Sequence, residues 1–234
     1  MKTKEHFFNK VSTGVRLSID FRLNNVILNI PIKTKCKENT NTDVCGIDPG
    51  VRTFQTVYSN NNIYEYGLEN TKPNTNIKRK LKEQDRIRFK RDRLKKMIYK
   101  CSVPKERKKF KMILKKLTKR YGIISEKIRN QVKDMHHKVS NELVKNFKCI
   151  IIGKLSTIDI IKKKSNLNRM TKRITCALMH FSFRQLLEHK CKLNNIKYIE
   201  VGEWYTSRTC SECKSINKRK TGSKVFECEA NNSH

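Results

Sequence analysis

The feature that most restricts the fold of this chain is an apolar repeat that runs from Phe110 to Leu143. Its members follow one another in steps of three and four residues, which is the spacing of side chains on one face of an α-helix. They are Phe110, Ile113, Leu114, Leu117, Tyr121, Ile124, Ile128, Val132, Met135, Val139 and Leu143. The sequence therefore predicts one helix of about 40 residues, with Gly122 as the point where it could kink.

A second, strongly basic helix is predicted before it, from Ile77 to about Cys101. Its later apolar positions, which share one face, are Leu94, Met97, Ile98 and Cys101. Residues 69–77 are predicted as a loop, and Pro104 suits the first turn of the following helix because proline needs no N–H partner there. The two segments predict an antiparallel helical hairpin with an apolar seam inside and lysines and arginines outside.

Positive charge is concentrated on this hairpin. The chain has 54 Lys and Arg against 21 Asp and Glu, a formal net charge of +33, and about half of that excess falls within residues 78–120. The positive charges of such a chain repel one another unless it binds a polyanion. Nucleic acid is the expected polyanion, because each phosphate that the protein neutralises releases a counterion and so strengthens binding. An AT-rich genome raises the lysine content but does not explain the clustering. The charge predicts a nucleic-acid surface, with a solvated charged face as the alternative.

Alternating segments before the hairpin predict β-strands. Residues 15–33 alternate around a central Asn-Asn, as in a β-hairpin or the edge of a small barrel. Residues 44–67 predict a meander of three strands, in which Asp48 ends the first strand before a Pro-Gly turn.

The part of the chain after the hairpin is predicted to contribute further strands to the sheet. Residues 149–153 are wholly apolar, which is typical of a strand in the middle of a sheet with both faces covered. A basic loop at 161–172, one helix to about Leu193 and a strand at 196–202 are predicted to follow. Strands on both sides of a helical hairpin predict a mixed α/β fold.

Asp48 is the first candidate for chemistry. Enzymes that use two Mg²⁺ ions place carboxylates at the ends of strands, where the side chains converge on the ions. An Asp-Pro-Gly sequence is also ordinary turn chemistry, so the spacing alone leaves both interpretations open.

Three of the nine cysteines cluster near the end of the chain. Cys210 and Cys213 have the spacing of half a zinc site, and Cys228 follows after a polar loop. A second Cys-x-x-Cys would need cysteine where Asn231 stands, so His234 is the candidate for the fourth ligand. The alternative is three thiols without a metal. In a reducing compartment we expect no disulfides.

The sequence also predicts an intracellular protein. It has no apolar run of 18 residues, so no membrane span is expected, and its first residues lack the apolar core of a secretory signal. The compartment and the oligomeric state stay open.

Three motifs in this order resemble the TnpB transposon nucleases, their Fanzor relatives and the type V CRISPR effectors. GIDPGVRTF (46–54) resembles the first RuvC motif, 127–157 resembles the stretch through the second, and GEWYTSRTCSECK (202–214) resembles the start of the zinc ribbon. The resemblance implies an RNase H-like (RuvC) mixed sheet, DNA and guide RNA as partners, Mg²⁺-dependent DNA cleavage in transposition or DNA recombination, and a structural Zn²⁺.

The resemblance also implies a division of the chain. The parts are a remnant of an N-terminal β-barrel (wedge) region with a linker at 1–43, RuvC-like core at 44–76 and 148–203, a basic hairpin insertion at 77–147 and a partial zinc ribbon at 204–234.

This sequence departs from the family pattern at two carboxylates. The position after the buried strand, where the family usually has Glu, is Lys154, and an ammonium group cannot bind Mg²⁺. Fanzor-type relatives carry Glu before the YTS segment, where Glu203 matches and Glu200 is the near competitor. The last carboxylate of the family, an Asp beyond the fourth zinc ligand, has no counterpart after Cys228.

The expected catalytic set is therefore Asp48 and Glu203 with the third carboxylate missing. We expect an impaired nuclease, and the sequence leaves open whether the chain is an enzyme. The alternatives are a non-catalytic nucleic-acid-binding module and the unfolded product of a pseudogene.

Four other side chains are candidates for a functional role. His136 and His137 are predicted on the helix surface, because adjacent helical positions point about 100° apart and cannot chelate one ion together. Trp204 and Tyr205 are predicted to pack beneath the cysteine loop, with stacking on a base as the alternative.

Overall fold

The computed structural model describes residues 14–20, 25–32, 34–36, 38–60, 62–67, 72–162, 167–202, 205, 208–218 and 226–230. Within these residues the chain forms a small two-stranded sheet, a five-stranded sheet with helices on one face, and a long helical hairpin. None of the described helices is both long enough and apolar enough to span a membrane.

The first two strands confirm the predicted β-hairpin. β1 (Arg16–Asp20) pairs antiparallel with β2 (Asn25–Asn29). Leu17 stands opposite Leu28, and Ile19 opposite Val26, so all four side chains share one face of the ribbon. Each of the four is exposed over about half of its surface.

The five-stranded sheet confirms the mixed α/β class. Its strands are β3 (Val44–Pro49), β4 (Gln55–Ser59), β5 (Asn62–Tyr66), β6 (Cys149–Gly153) and β7 (Lys197–Val201). They lie side by side in the order β5-β4-β3-β6-β7. β4 is antiparallel to both of its neighbours, whereas β3, β6 and β7 are parallel to one another.

The two faces of this sheet differ in burial. Side chains alternate along a strand, so Cys45 and Ile47 are buried on the inner face while Gly46 and Asp48 are exposed on the outer face. In β6, Ile150 and Ile152 are fully buried, but Ile151 on the outer face is not. Among the described residues, β6 is therefore fully covered on its inner face, whereas Ile151 on the outer face is only partly covered.

The predicted helical hairpin is confirmed, with an earlier start. α1 (Lys72–Lys100) and α2 (Pro104–Asn146) pack along each other. α1 begins five residues before Ile77, within the predicted loop at 69–77, and Pro73 is tolerated in its first turn because a backbone N–H there has no helical partner in any case. α2 runs through Gly122 as one helix of 43 residues.

The buried seam of the hairpin lies nearer the sheet than the sequence predicts. Its members are Ile77, Leu81 and Ile87 of α1 with Ile124, Ile128 and Val132 of α2. Leu94 and Ile98 lie toward the far end and are only partly buried, and Met97 is 39% exposed. The last turns of α2 instead pack on the inner face of the sheet, so one helix belongs to two cores.

Three helices connect β6 to β7, where one was predicted. They are α3 (Thr157–Ile161), α4 (Arg169–Leu178) and α5 (His180–Leu193). α4 begins inside the predicted basic loop because the Asn168 side chain caps it, accepting a hydrogen bond from the Thr171 N–H at 2.8 Å. α4 and α5 are separate helices because Met179 between them has a left-handed φ of 48°.

A cluster of rings fills the inner core beneath the sheet. Phe54 stacks on His136 at 5.2 Å and on His180 at 5.1 Å between ring centroids, and Phe183 meets Phe54 edge-on at 5.0 Å. The surface prediction for His136 is wrong, because its ring is 2% exposed, while His137 is exposed as predicted.

Candidate functional site

Asp48 lies at the end of β3 on the outer face of the sheet. Its side chain is exposed and makes no hydrogen bond or ion pair within the described part of the chain. Partial desolvation nevertheless raises the pKa of Asp48 above the ordinary value for aspartate. A bound cation would favour the charged form of such a carboxylate and so offset the desolvation.

A tight turn fixes the position of Asp48. Gly50 donates a backbone hydrogen bond to the Phe54 carbonyl at 3.2 Å, and a Cβ on Gly50 would lie 2.6 Å from the Thr53 carbonyl oxygen. A larger residue at position 50 would force the backbone apart. The glycine of the Pro-Gly sequence is therefore required for this close approach.

Glu200, the competitor for the second carboxylate, lies on the other face. It pairs in register with Ile152, which faces the buried side of the sheet. Its carboxylate accepts a hydrogen bond from the Tyr198 hydroxyl at 2.8 Å and lies 3.7 Å from both Arg184 Nε and Lys154 Nζ. Burial raises the pKa of Tyr198, followed in effect by this bond to Glu200. The structure therefore does not bring Glu200 together with Asp48.

The other second-carboxylate candidate, Glu203, lies outside the described residues, as does Trp204. β7 ends at Val201, which pairs with Gly153 and is exposed on the same side as Asp48. Tyr205 is 55% exposed and the Arg208 guanidinium lies 5.5 Å from its ring centroid, so packing of this ring beneath the cysteine loop stays a prediction.

Three thiols come together as the cysteine spacing predicts. The sulfur atoms of Cys210, Cys213 and Cys228 all lie within 4.8 Å of one another, and Cys213 and Cys228 are 3.5 Å apart. Four ligands at about 2.3 Å in a tetrahedron would place sulfur atoms about 3.8 Å apart. The cluster thus has nearly the dimensions of a zinc site. His234, the predicted fourth ligand, lies outside the described residues.

The first two thiols are held in a tight knuckle. The Lys214 N–H donates to the Cys210 carbonyl at 3.1 Å, and the Cys210 N–H donates to the Ser215 carbonyl at 2.9 Å. Lys214 has a φ of 61°, which lets the chain reverse within this short loop. The Ser215 hydroxyl lies 2.9 Å from the Cys213 sulfur and 3.4 Å from that of Cys228.

Asn217 joins the two thiol-bearing segments, and sequence reasoning missed it. The residue is 2% exposed, its amide donates to the Glu227 carbonyl at 2.6 Å, and its oxygen accepts from the Glu229 N–H at 3.0 Å. These two groups flank Cys228. An asparagine in a lysine-rich loop resembles an ordinary turn residue, so the sequence carries no signal for this role.

A cationic groove runs between α1 and α2. It has a volume of about 740 Å³, and cations from both helices line it, among them Arg79, Lys80, Lys82, Arg86, Lys90 and Lys127. Glu83 is the acidic residue of the lining, and it pairs with Arg120 at 2.7 Å. Burial lowers the pKa of Lys80, and the neighbouring charges of Arg79 and Lys127 lower it further. This groove therefore offers closely spaced positive charge to a polyanion.

The fold and these features define a mixed α/β protein with a three-thiol cluster and a cationic helical hairpin. Residues 180–234 match the family model described as Cas12f1-like, TNB domain. A TnpB-like protein of Acanthamoeba polyphaga mimivirus is 34% identical over 222 residues, which covers 94% of this chain and 40% of that protein. A second mimivirus relative, named as a transposase, is 34% identical over 204 residues, which covers 86% of this chain and 38% of that protein. The chain belongs to the TnpB family and spans about two fifths of the length of these relatives.

Among solved structures, the chain aligns with a cryo-EM structure of a Cas12f1–sgRNA–target DNA complex. It aligns with a TM-score of 0.45 and 20% sequence identity, covering 88% of this chain and 39% of that chain.

Proposed function

We propose that this chain binds DNA together with a guide RNA, and that its sheet carries part of a Mg²⁺-dependent DNA nuclease site of the kind used in transposition and DNA recombination. The observation that carries the proposal is the cationic groove of the hairpin. Phosphate backbones supply a regular row of negative charge, and each neutralised phosphate releases counterions. The groove has this complementary charge on two helices that pack along each other, so cations of both helices border the same space.

The sheet supports an RNase H-like core of the RuvC kind. In an RNase H-like sheet the strands, counted along the chain, lie in the order 3-2-1-4-5 with the second antiparallel to the rest. The described strands β3 to β7 have this order and these directions. The core then comprises 44–76 and 148–203, the hairpin 77–147 is an insertion, 204–234 is a partial zinc ribbon, and 1–43 is a barrel remnant with a linker.

Asp48 and Glu203 are the proposed carboxylates for Mg²⁺. Asp48 fits this role because its oxygen atoms are exposed at a strand end and unpaired within the described residues. Bound magnesium would stabilise charge on the scissile phosphate. Lys154 follows β6 at the position where the family usually has Glu, and an ammonium group cannot bind Mg²⁺ there, so we propose that cleavage by this chain is weak.

Zinc is the proposed structural metal of the ribbon, with Cys210, Cys213, Cys228 and His234 as ligands. The distances between the three sulfur atoms fit such an ion. Bound zinc would fix the two ends of the polar loop between Cys213 and Cys228.

A nuclease assay with co-purified RNA tests the proposal. The chain is expected to retain RNA and to nick DNA slowly in Mg²⁺, and Asp48→Ala is expected to abolish the nicking without releasing the RNA. Glu65→Gln is the matched control, because Glu65 is an exposed carboxylate on the same outer face of the sheet. Nicking that survives Asp48→Ala would refute the proposed site.

A second candidate function is a non-catalytic nucleic-acid-binding module. Lys154 favours it, because the ammonium group at this position, which lies 3.7 Å from Glu200, offers Mg²⁺ no ligand. Retained RNA with no Mg²⁺-dependent nicking at all would identify this module. A chain that does not unfold cooperatively, with or without zinc, would fit neither function and would indicate a pseudogene product.

A further inference from the structure

A second cleft lies on another side of α1, where this helix meets α4. It has a volume of about 560 Å³ and is lined by Asp85, Arg88, Phe89 and Asp92 of α1 with Arg169 and Arg173 of α4. The four residues of α1 are spaced three, one and three apart, so they form one stripe along the helix. None of them lines the cationic groove, which uses a different stripe of α1.

Phe89 is the unusual member of this cleft. Its side chain is 72% exposed, although neighbouring apolar residues of α1 such as Ile87 are buried in the hairpin seam. A single exposed apolar side chain is ordinary on a protein surface and indicates nothing by itself. Here the ring borders a cleft that is also lined by three guanidinium groups. An aromatic face beside several cations suits a ligand that has both a flat ring and a negative charge.

The three arginines of the cleft are held to different degrees. Arg173 is fixed by an ion pair with Asp85 and a hydrogen bond to the Gln84 side chain at 3.3 Å. Arg88 is 4.0 Å from Asp92, and both side chains are more than half exposed. Arg169 makes no hydrogen bond or ion pair with any residue that the structure describes. Arg169 therefore has no partner among the described residues, and Arg88 is held only by its loose, exposed ion pair with Asp92, so both guanidinium groups can turn toward an anion.

We propose that this cleft binds one unstacked nucleotide of a single-stranded nucleic acid. The base stacks on the Phe89 ring, Arg169 and Arg88 bind the adjoining phosphate, and the Asp92 carboxylate accepts a hydrogen bond from an amino group of the base. Bases inside a duplex do not offer their faces for stacking, so the ligand is a single-stranded stretch. This inference rests on the proposed function and assigns a second contact beside the groove.

The experiment compares two ligands on the full-length chain. One is a fluorescent single-stranded RNA oligomer, and the other is an abasic oligomer of the same length and charge. Stacking on an aromatic ring contributes to the first and not to the second. Phe89→Ala is expected to weaken binding of the RNA roughly five- to hundredfold and to leave binding of the abasic oligomer unchanged.

Three further variants separate stacking from charge and from general damage. Phe89→Tyr keeps an aromatic ring and is expected to keep the affinity. Tyr99→Ala is the matched control, because Tyr99 is 87% exposed on the same helix and is not among the residues that line the cleft. Arg169→Gln is expected to weaken binding of both oligomers, because it removes a phosphate contact.

Each outcome decides the inference. Equal loss on the two oligomers after Phe89→Ala, or an equal effect of Tyr99→Ala, would overturn it. Displacement of the RNA by an acidic peptide of equal charge at a similar concentration would also overturn it, and would indicate a protein partner. Failure of the unmodified chain to bind either oligomer would refute the proposed function itself. If the unmodified chain binds RNA and Phe89→Ala binds it with the same affinity, only this site is refuted.

Discussion

Replacing Asn217 by alanine should loosen the thiol cluster without touching a thiol. The substitution removes the two hydrogen bonds that the Asn217 side chain makes to the Glu227 carbonyl and the Glu229 N–H. A polar group left unpaired in a buried position costs about 1–3 kcal/mol. Because Asn217 is 2% exposed, little water can replace its amide. We therefore expect Asn217→Ala to destabilise the closed ribbon by about 2–4 kcal/mol.

This loss should appear as weaker zinc binding, since the metal selects the conformation in which Cys228 stands beside the other two thiols. A cost of about 2–4 kcal/mol corresponds to an affinity lower by roughly 30- to 1000-fold. Competition between the protein and a chromogenic chelator measures it directly. Asn217→Asp keeps the acceptor for the Glu229 N–H but loses the donor, so it should fall between the native residue and alanine.

Ser211→Ala is the matched control, because Ser211 is an exposed residue of the same loop. The control should bind zinc as the native chain does. A native zinc affinity for Asn217→Ala, within about twofold, would show that Asn217 does not position Cys228, and the reasoning from its two hydrogen bonds would be refuted.

Three further predictions concern the core and the sheet. Burial lowers the pKa values of His136 and His180 to about 4 in the folded chain, so below pH 6.5 the unfolded chain binds more protons than the folded one. The free energy of unfolding in urea should therefore be highest above pH 6.5 and fall progressively toward pH 4. His180→Phe should make this pH dependence smaller. Gly67→Ala should destabilise the fold by about 2 kcal/mol or more in the same assay, because the φ of Gly67 is 68° and an added Cβ would lie 2.8 Å from the Phe54 Cβ; an unchanged unfolding midpoint would contradict this. Glu200→Gln should lower stability but leave any Mg²⁺-dependent nicking intact, because its carboxylate contacts Tyr198 and Arg184 on the inner face; loss of nicking in a folded variant would place Glu200 in the catalytic set.

The sequence predicts those helices, strands and clusters that follow from a pattern among residues close together in the chain. The repeat from Phe110 to Leu143 predicts α2, and the structure confirms it as one helix. Alternation predicts the strands on both sides of the hairpin, and the cysteine spacing predicts that Cys210, Cys213 and Cys228 come together. In each case the periodicity or the spacing corresponds directly to one face or one loop.

Features that depend on distant packing were not predictable in this way. His136 looks like a surface residue until Phe54 and Phe183 are known to meet it across the core. The left-handed turn at Met179 divides one apolar pattern into two helices, although methionine is a good helix former. Asn217 reaches across ten residues of chain to bind Glu227, and no local pattern marks such a bond.

The charge pattern predicts a basic hairpin, but not which cations face the same space. The structure places Arg86 and Lys90 in the groove, while Arg93 and Lys96, nearby on the same helix, are not among the groove-lining residues. Sequence counting treats all four as equal. The division follows from the pairing of α1 with α2, which decides the stripe of α1 that borders the groove.

Binding of a nucleic-acid phosphate backbone in this groove is tested by the salt dependence of the affinity. The affinity of the full-length chain for a single-stranded oligomer is measured across a range of salt concentrations. Each lost phosphate contact should reduce the slope of log affinity against log salt by about 0.7. We expect a slope shallower by about 1.4 for Arg86→Gln with Lys90→Gln, and no change for the equally charged control Arg93→Gln with Lys96→Gln. Equal slopes for the two double variants would contradict the claim.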